Sequence, residues 1–416
     1  MQLIIHTSPA FQPEKDYIWH VVFGEILGIS YQVVAFNTNT HTFSLPNGTQ
    51  FQIPDAFASL SADMEWNYTL ETHGAFEPDF DLFAFCFFML TRLEEQKAVE
   101  RDQHGRFPAR LSWSARHGML QRPLVNECAE WIWNKLLHFG WTEPRRQKIF
   151  QWQFSCDVDH PKLWWSITDR IKTVAGSILM RHSIKEALYW LKNPAMFQPK
   201  ARDPFDVFDE WMDLFEQNGH QLQFNFLGDR PQTSNCWYPL NHPFIVHLMQ
   251  RIDRRGHVIG FHPSYEAFED EAIFKRELKS IQAIAPSAIV SGRQHYLRFS
   301  NPQTWQMWEE AGLKMDGTLG YAESDGFRCG ICHDYPVFDV RNRVMLNLRE
   351  QPLILMDVTL AQYQSLTPDQ GLEKIANYHS VVKSYHGTLT LLWHNSSWNT
   401  PAWEPWKYVL KEALRL

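Results

Sequence analysis

The chain has 416 residues, a formal net charge of −8, and a composition that is 44% hydrophobic and 21% charged. Those values belong to folded globular proteins and exclude disorder, collagen and coiled coil. The negative balance argues against a nucleic-acid partner, whose phosphates seek a basic face.

At roughly 150 residues per domain, the length suggests two domains. Met1 to His6 lacks the basic start and long apolar stretch of a signal peptide. The most apolar run, Leu82 to Leu90, is about half of the ~20 residues that a membrane span needs. The expectation is a soluble, cytoplasmic chain with no membrane span. The first third reads as a mixed α/β unit. Glu14 to Leu27 has helical spacing, and Tyr31 to Phe36 has the character of a strand. His41–Leu45 and Gln50–Ile53 flank Asn47-Gly48, a hairpin signal because that pair readily takes positive φ. Asp81 to Glu95 is a helix with an apolar, buried first half, and Leu124 to Leu137 is another. A polar stretch, Trp141 to Lys148, places a boundary near residue 148. This gives an N-terminal domain over 1–148 and a second domain over 149–416.

From there strand-like runs alternate with helices. The strands are Phe150–Asp157, Gln221–Leu227, Val258–His262, Ala288–His295, Leu313–Asp316, Leu353–Thr359 and Thr388–His394. Helices are expected at Phe205–Gln217, Phe244–Arg255, Ala272–Ala285, Pro302–Ala311 and Pro368–Ser384. Such alternation means a parallel sheet, and about seven strands in one domain favour a distorted (β/α) barrel. The fold class is therefore α/β.

Ionisable residues recur where the apolar strands end: Asp157 and Asp159, His262, Arg293 and His295, Asp316, Asp357, and His394. In a parallel barrel those ends converge on one rim. Asp157 and Asp159 are two apart, so on a strand they point to one side and repel. A cation removes that conflict. Aspartate with histidine suits a divalent ion such as zinc, which lowers the pKa of a bound water and polarises a carbonyl. A second carboxylate takes the water's proton, Arg293 orients that carboxylate, and His394 protonates the leaving group.

Asp-x-Asp at 157–159, a strand ending in His262, then Arg293, then Leu392-Trp393-His394, resembles the polysaccharide deacetylases (NodB homology, carbohydrate esterase family four). The resemblance covers roughly residues 150 to 416. It implies a distorted (β/α) barrel and divalent-metal-dependent removal of N- or O-acetyl groups from a saccharide. It further implies Asp157 as base, Asp159 and His262 as metal ligands, Arg293 as holder of the base, Leu392 in the acetyl pocket and His394 as acid. The first third resembles the uncharacterised domain often placed before such barrels in bacterial proteins.

The family has a further histidine four residues after the first; here that position is Glu266. The third ligand is then His295, His160 or Glu266, with His295 favoured because it ends the neighbouring strand on the same side as Arg293. Trp393 and Tyr265 join Leu392 as candidate substrate contacts. Tryptophans beside the strand ends (Trp164-Trp165, Trp237, Trp393, Trp398) suit a sugar ring, although most rings in a chain with 14% aromatics belong to its core. The expected function is a metal-dependent saccharide deacetylase. The alternative is a non-catalytic member of the fold that binds carbohydrate or a partner protein.

Six cysteines (86, 128, 156, 236, 329 and 332) are too scattered for a disulfide framework. Cys329-Gly330-Ile331-Cys332-His333 fits the c-type haem pattern, but haem attachment needs an exported chain, so a loop near the rim is expected. Arg328 either meets an anionic substrate or makes a surface salt bridge.

Overall fold

The computed structural model describes residues 2–68, 80–146, 148–198, 201–228 and 238–416. Its strands, in chain order, are β1 (Leu3–Thr7), β2 (Tyr31–Ala35), β3 (Thr40–Ser44), β4 (Gln50–Pro54), β5 (Gln151–Val158), β6 (Leu222–Leu227), β7 (Val258–His262), β8 (Ser291–Gly292), β9 (Met315–Asp316), β10 (Tyr335–Asp339), β11 (Val344–Glu350), β12 (Leu355–Met356) and β13 (Thr388–Leu392). They form a small N-terminal sheet and a larger, parallel-rich sheet. Among the described residues no helix is long and apolar enough to cross a membrane.

The chain divides into two compact units. The first comprises residues 1–151, 296–354 and 380–390; the second comprises 152–295, 355–379 and 391–416. In the first unit, β1 pairs in parallel with β2 and antiparallel with β3, and β3 continues to β4. The β3–β4 turn uses Gly48 at φ 87°, as the Asn-Gly pair requires. Phe43 and Phe51 are register partners whose rings stack at 4.9 Å. Helix Leu82–Leu90 is buried along its whole length. Its first turn is capped by Asp81, whose carboxylate accepts from the N–H groups of Phe83 and Ala84.

Residues 296–354 join this unit through buried polar contacts. Tyr335 Oη donates to the carbonyl of Leu90 at 2.9 Å, and Arg328 pairs with Glu95 at 2.6 Å. These contacts link residues more than 230 positions apart, so a polar stretch near 148 could not reveal them. The unit also holds an antiparallel β10–β11 pair where the sequence reading continued a parallel alternation.

In the second unit β5, β6, β7 and β8 pair in parallel, in chain order. The upper residues of β13 pair in parallel with β12, and Trp393 N–H donates to the carbonyl of Ser155 at 3.0 Å. The helices between strands are amphipathic; Trp211, Met212 and Phe215 on one and Ile245, Leu248 and Ile252 on another are buried. β8 is far shorter than the expected Ala288–His295. Gly292 lies so close to Phe261 that a Cβ would sit 1.9 Å from its carbonyl oxygen, and Tyr296 then turns the chain with φ at 60°. Leu353–Thr359 likewise contracts to Leu355–Met356 before a helical turn. The described pairings give a parallel-rich sheet and do not include one that closes the expected barrel.

Candidate active site

Every residue of the site lies in the second unit. β5 presents Ser155 and Asp157 on one side, and Asp159 follows two residues on. Asp157, Asn225 of β6 and Gly260 of β7 form one row across the sheet by register. Asn225 Nδ2 donates to Asp157 Oδ1 at 2.7 Å. Arg293, just past β8, donates from one nitrogen to Asp157 Oδ1 at 3.0 Å and to Ser155 Oγ at 2.9 Å. Gly260 makes room for this arrangement, because a Cβ there would lie 2.0 Å from Asn225 Oδ1.

Burial alone would raise the pKa of Asp157. Arg293, with His262 and His394, outweighs it and holds the carboxyl below its ordinary range, so it is ionised.

His262 closes β7, and His295 follows β8. His262 Nε2 and His295 Nδ1 each lie 3.3 Å from Asp159 Oδ1, and the two nitrogens are 2.9 Å apart. His262 Nδ1 meets the carbonyl oxygen of Arg293 at 2.6 Å. A carbonyl only accepts, so Nδ1 carries a proton, and Nε2 is the ring nitrogen that faces Asp159.

Two imidazole nitrogens and a carboxylate oxygen therefore converge. Tetrahedral zinc with bonds of ~2.0–2.1 Å spaces its ligand atoms about 3.4 Å apart. The observed triangle is close to that, and its N/N/O donor set suits a borderline divalent ion. Burial raises the pKa of Asp159, but His295 and His262 outweigh it and hold the carboxyl well below its usual range.

His394 follows β13 and Asp357 follows β12, whose last residues, Met356 and Leu392, are register partners. His394 Nδ1 and Asp357 Oδ1 are 2.8 Å apart, and the backbone N–H of His394 donates to Asp357 Oδ2 at 2.9 Å. Burial lowers the imidazole pKa, but the Asp357 carboxylate outweighs it and pushes it up to about 9. The site thus holds an ionised carboxylate, a three-atom ligand cluster and a protonated imidazole.

Among the sequence-read candidates, Asp157 is held by Arg293, Asp159 meets His262 and His295, the Arg293 carbonyl joins the two groups through His262, and His394 is bound to Asp357. Neither Glu266 nor His160 shares the ligand cluster with Asp159 and His262. Tyr265 opens a short helical turn after β7 and is half-buried. Leu392 is buried. Trp393 is not open to a ligand: it is 2% exposed, packs against Trp403 and Trp406, and donates its indole N–H to the carbonyl of Ser397. Trp164 and Trp398 are buried too, Trp165 is half-buried, and Trp237 lies outside the described residues.

Arg328 makes no surface salt bridge. It is buried against Glu95 in the first unit. Cys329 and Cys332 are buried free thiols whose pKa values burial raises, the first to about 12. Asn225 and the role of Asp357 were missed by sequence reasoning. Both were visible as polar residues in apolar strand segments, but their partners depend on register.

Residues 3–140 match a family of unknown function, DUF7033. No curated protein matches the chain. Among solved structures, one assigned as a polysaccharide deacetylase from Mycobacterium smegmatis is 16% identical, with a TM-score of 0.41, over 66% of this chain and 85% of the other. A second, assigned as a polysaccharide deacetylase from Pseudomonas aeruginosa PAO1, is 12% identical, with a TM-score of 0.42, over 66% and 89%. The allantoinase PuuE is 10% identical, with a TM-score of 0.38, over 64% and 83%. Scores this low carry no functional argument, so function has to be argued from the residues.

Proposed function

We propose that this chain is a metal-dependent hydrolase that removes an acetyl group from an N- or O-acetylated saccharide. The observation that carries the reading is the Asp159–His262–His295 triangle beside an ionised Asp157. The chain order of Asp157, Asp159, His262, Arg293, Leu392 and His394 supports the polysaccharide deacetylase class, with the parallel-rich sheet read as its distorted barrel and the catalytic residues all within 149–416.

Asp159, His262 and His295 would hold the ion. A bound divalent metal, zinc by its donor set, supplies an acidified water and a polarised carbonyl. Asp157, fixed by Arg293 and Asn225, takes the proton from the attacking water. His394, kept protonated by Asp357, gives a proton to the leaving nitrogen or oxygen. Arg293 does two jobs, since its side chain holds the base while its carbonyl fixes the tautomer of His262.

The test is elemental analysis of the purified protein beside Asp159→Ala and His262→Ala, followed by acetate release from a panel of acetylated saccharides. Near-stoichiometric metal that both variants lose, with acetate release in the wild type, is the expected result. No metal after reconstitution would overturn the proposal and leave a fold that binds carbohydrate or a partner protein without turnover.

A further inference from the structure

The connection after β5 carries two amphipathic helices, Ile167–Leu179 and Ile184–Lys192. Their inward side is narrow. Ser177, Ala187 and Trp190 are buried, and Trp190 packs with Trp164, Ala195 and Met196.

A second apolar side remains in solvent. Ile167, Ile171 and Ile178 recur on one face of the first helix, and Ile184, Leu188 and Leu191 on one face of the second. The end of the first helix and the turn after it add Leu179 and Met180, which are 73% and 79% exposed. With Phe197, nine of the twenty-one exposed large hydrophobic residues in the described chain fall within residues 167–197. Exposed apolar residues scattered singly need no explanation, but a concentration of this kind marks a binding surface.

The charge of the segment runs against that of the molecule. Between Ser166 and Lys192 there are five basic residues (Arg170, Lys172, Arg181, Lys185 and Lys192) and two acidic ones, a balance of +3 in a chain of −8. Both acids are engaged locally: Asp169 closes a capping box with Ser166, and Glu186 pairs with Arg181 at 2.8 Å. Lys172, Lys185 and Lys192 are exposed on the same two helices.

We propose that this helical pair docks on the surface of an anionic lipid bilayer, with its apolar faces at the acyl boundary and its lysines among the headgroups. Apolar residues on one face with Lys and Arg beside them are what interfacial binding uses. Helices of 13 and 9 residues, rising ~1.5 Å per residue, are too short to cross a core of ~30 Å, so they lie on the membrane. A second copy meeting the same face would set one positive segment against another.

The test is cosedimentation of the full chain with vesicles of phosphatidylglycerol and phosphatidylcholine in equal parts, against phosphatidylcholine alone. Binding to the anionic vesicles is expected, weakened at least ten-fold without phosphatidylglycerol. Ile171→Glu with Met180→Glu should weaken it at least ten-fold. Lys172→Glu with Lys185→Glu should abolish the preference for the anionic lipid. All four residues are exposed and none belongs to the metal-ligand cluster, so an unchanged far-ultraviolet circular dichroism spectrum and metal content would show that the fold is intact. The proposal is overturned if the wild type does not bind anionic vesicles or if the Ile171/Met180 variant binds equally well. It is also overturned if sedimentation velocity shows a wild-type dimer that this variant disperses, which would assign the face to a second copy.

Discussion

Asp357 holds His394 from two directions at once, accepting the backbone N–H at 2.9 Å and lying 2.8 Å from ring Nδ1. Asp357 is fully buried and also accepts the N–H of Val358. With Nδ1 committed to the carboxylate, Nε2 is the nitrogen left to exchange a proton.

Asp357→Asn removes the anion that pushes His394 up to about 9. A histidine raised in the folded state stabilises below its unfolded value of 6.5 and loses that contribution as pH rises through about 9. Urea unfolding of the metal-free wild type should therefore show a loss on the order of 3 kcal/mol across that window. Asp357→Asn should flatten the loss and move the alkaline limb of deacetylation toward neutral pH.

His295→Ala should lower metal content as much as His262→Ala does, because both rings face Asp159 Oδ1 at 3.3 Å. Glu266→Ala and His160→Ala should leave it unchanged. Elemental analysis of the four variants checks this, and full retention of metal in His295→Ala would remove that residue from the ligand set.

Gly260→Ala forces a Cβ to within 2.0 Å of Asn225 Oδ1. Asn225 must shift, and Asp157 loses one of its two holding bonds. The expected cost is ~1–3 kcal/mol of stability from overpacking, with a loss of turnover that Asn225→Ala reproduces without the steric clash. Denaturant unfolding and kcat, measured on both variants, separate the two effects.

Glu95→Ala should be the costliest of these changes to stability, because it leaves Arg92 and Arg328 buried without the carboxylate they share. Breaking a buried pair in this way costs ~3–5 kcal/mol. Burial raises the pKa of Glu95, but the two arginines outweigh it and hold it at about 2, so its contribution is full above pH 4.5 and fades as pH falls toward 2. Acid unfolding should shift upward in pH in the variant, and metal content should not change.

The buried thiols of Cys329 and Cys332 should resist a thiol reagent in the folded chain and react once it is unfolded. Rapid reaction in the native state would show that the two thiols are accessible in the folded chain.

By itself the sequence determined what short-range chemistry controls. Period-two and helical patterns located β5 and β7 to within a residue or two, and Asn47-Gly48 announced its hairpin. The two-residue spacing of Asp157 and Asp159 put both on one side, since side chains alternate along a strand. Tertiary structure alone decided who meets whom. Asn225 reaches Asp157 across 68 positions, and His394 reaches Asp357 across 37, through strand registers that no local pattern encodes. Trp393 and Arg328 had sequence contexts that suited a ligand and were drawn instead into buried packing and a buried ion pair. The amphipathic period of residues 167–191 is written in the chain, but only the folded molecule shows that one side is covered and the other is left in water. Local rules fix which groups a segment can present; burial and pairing, which are properties of the whole chain, fix what each group meets.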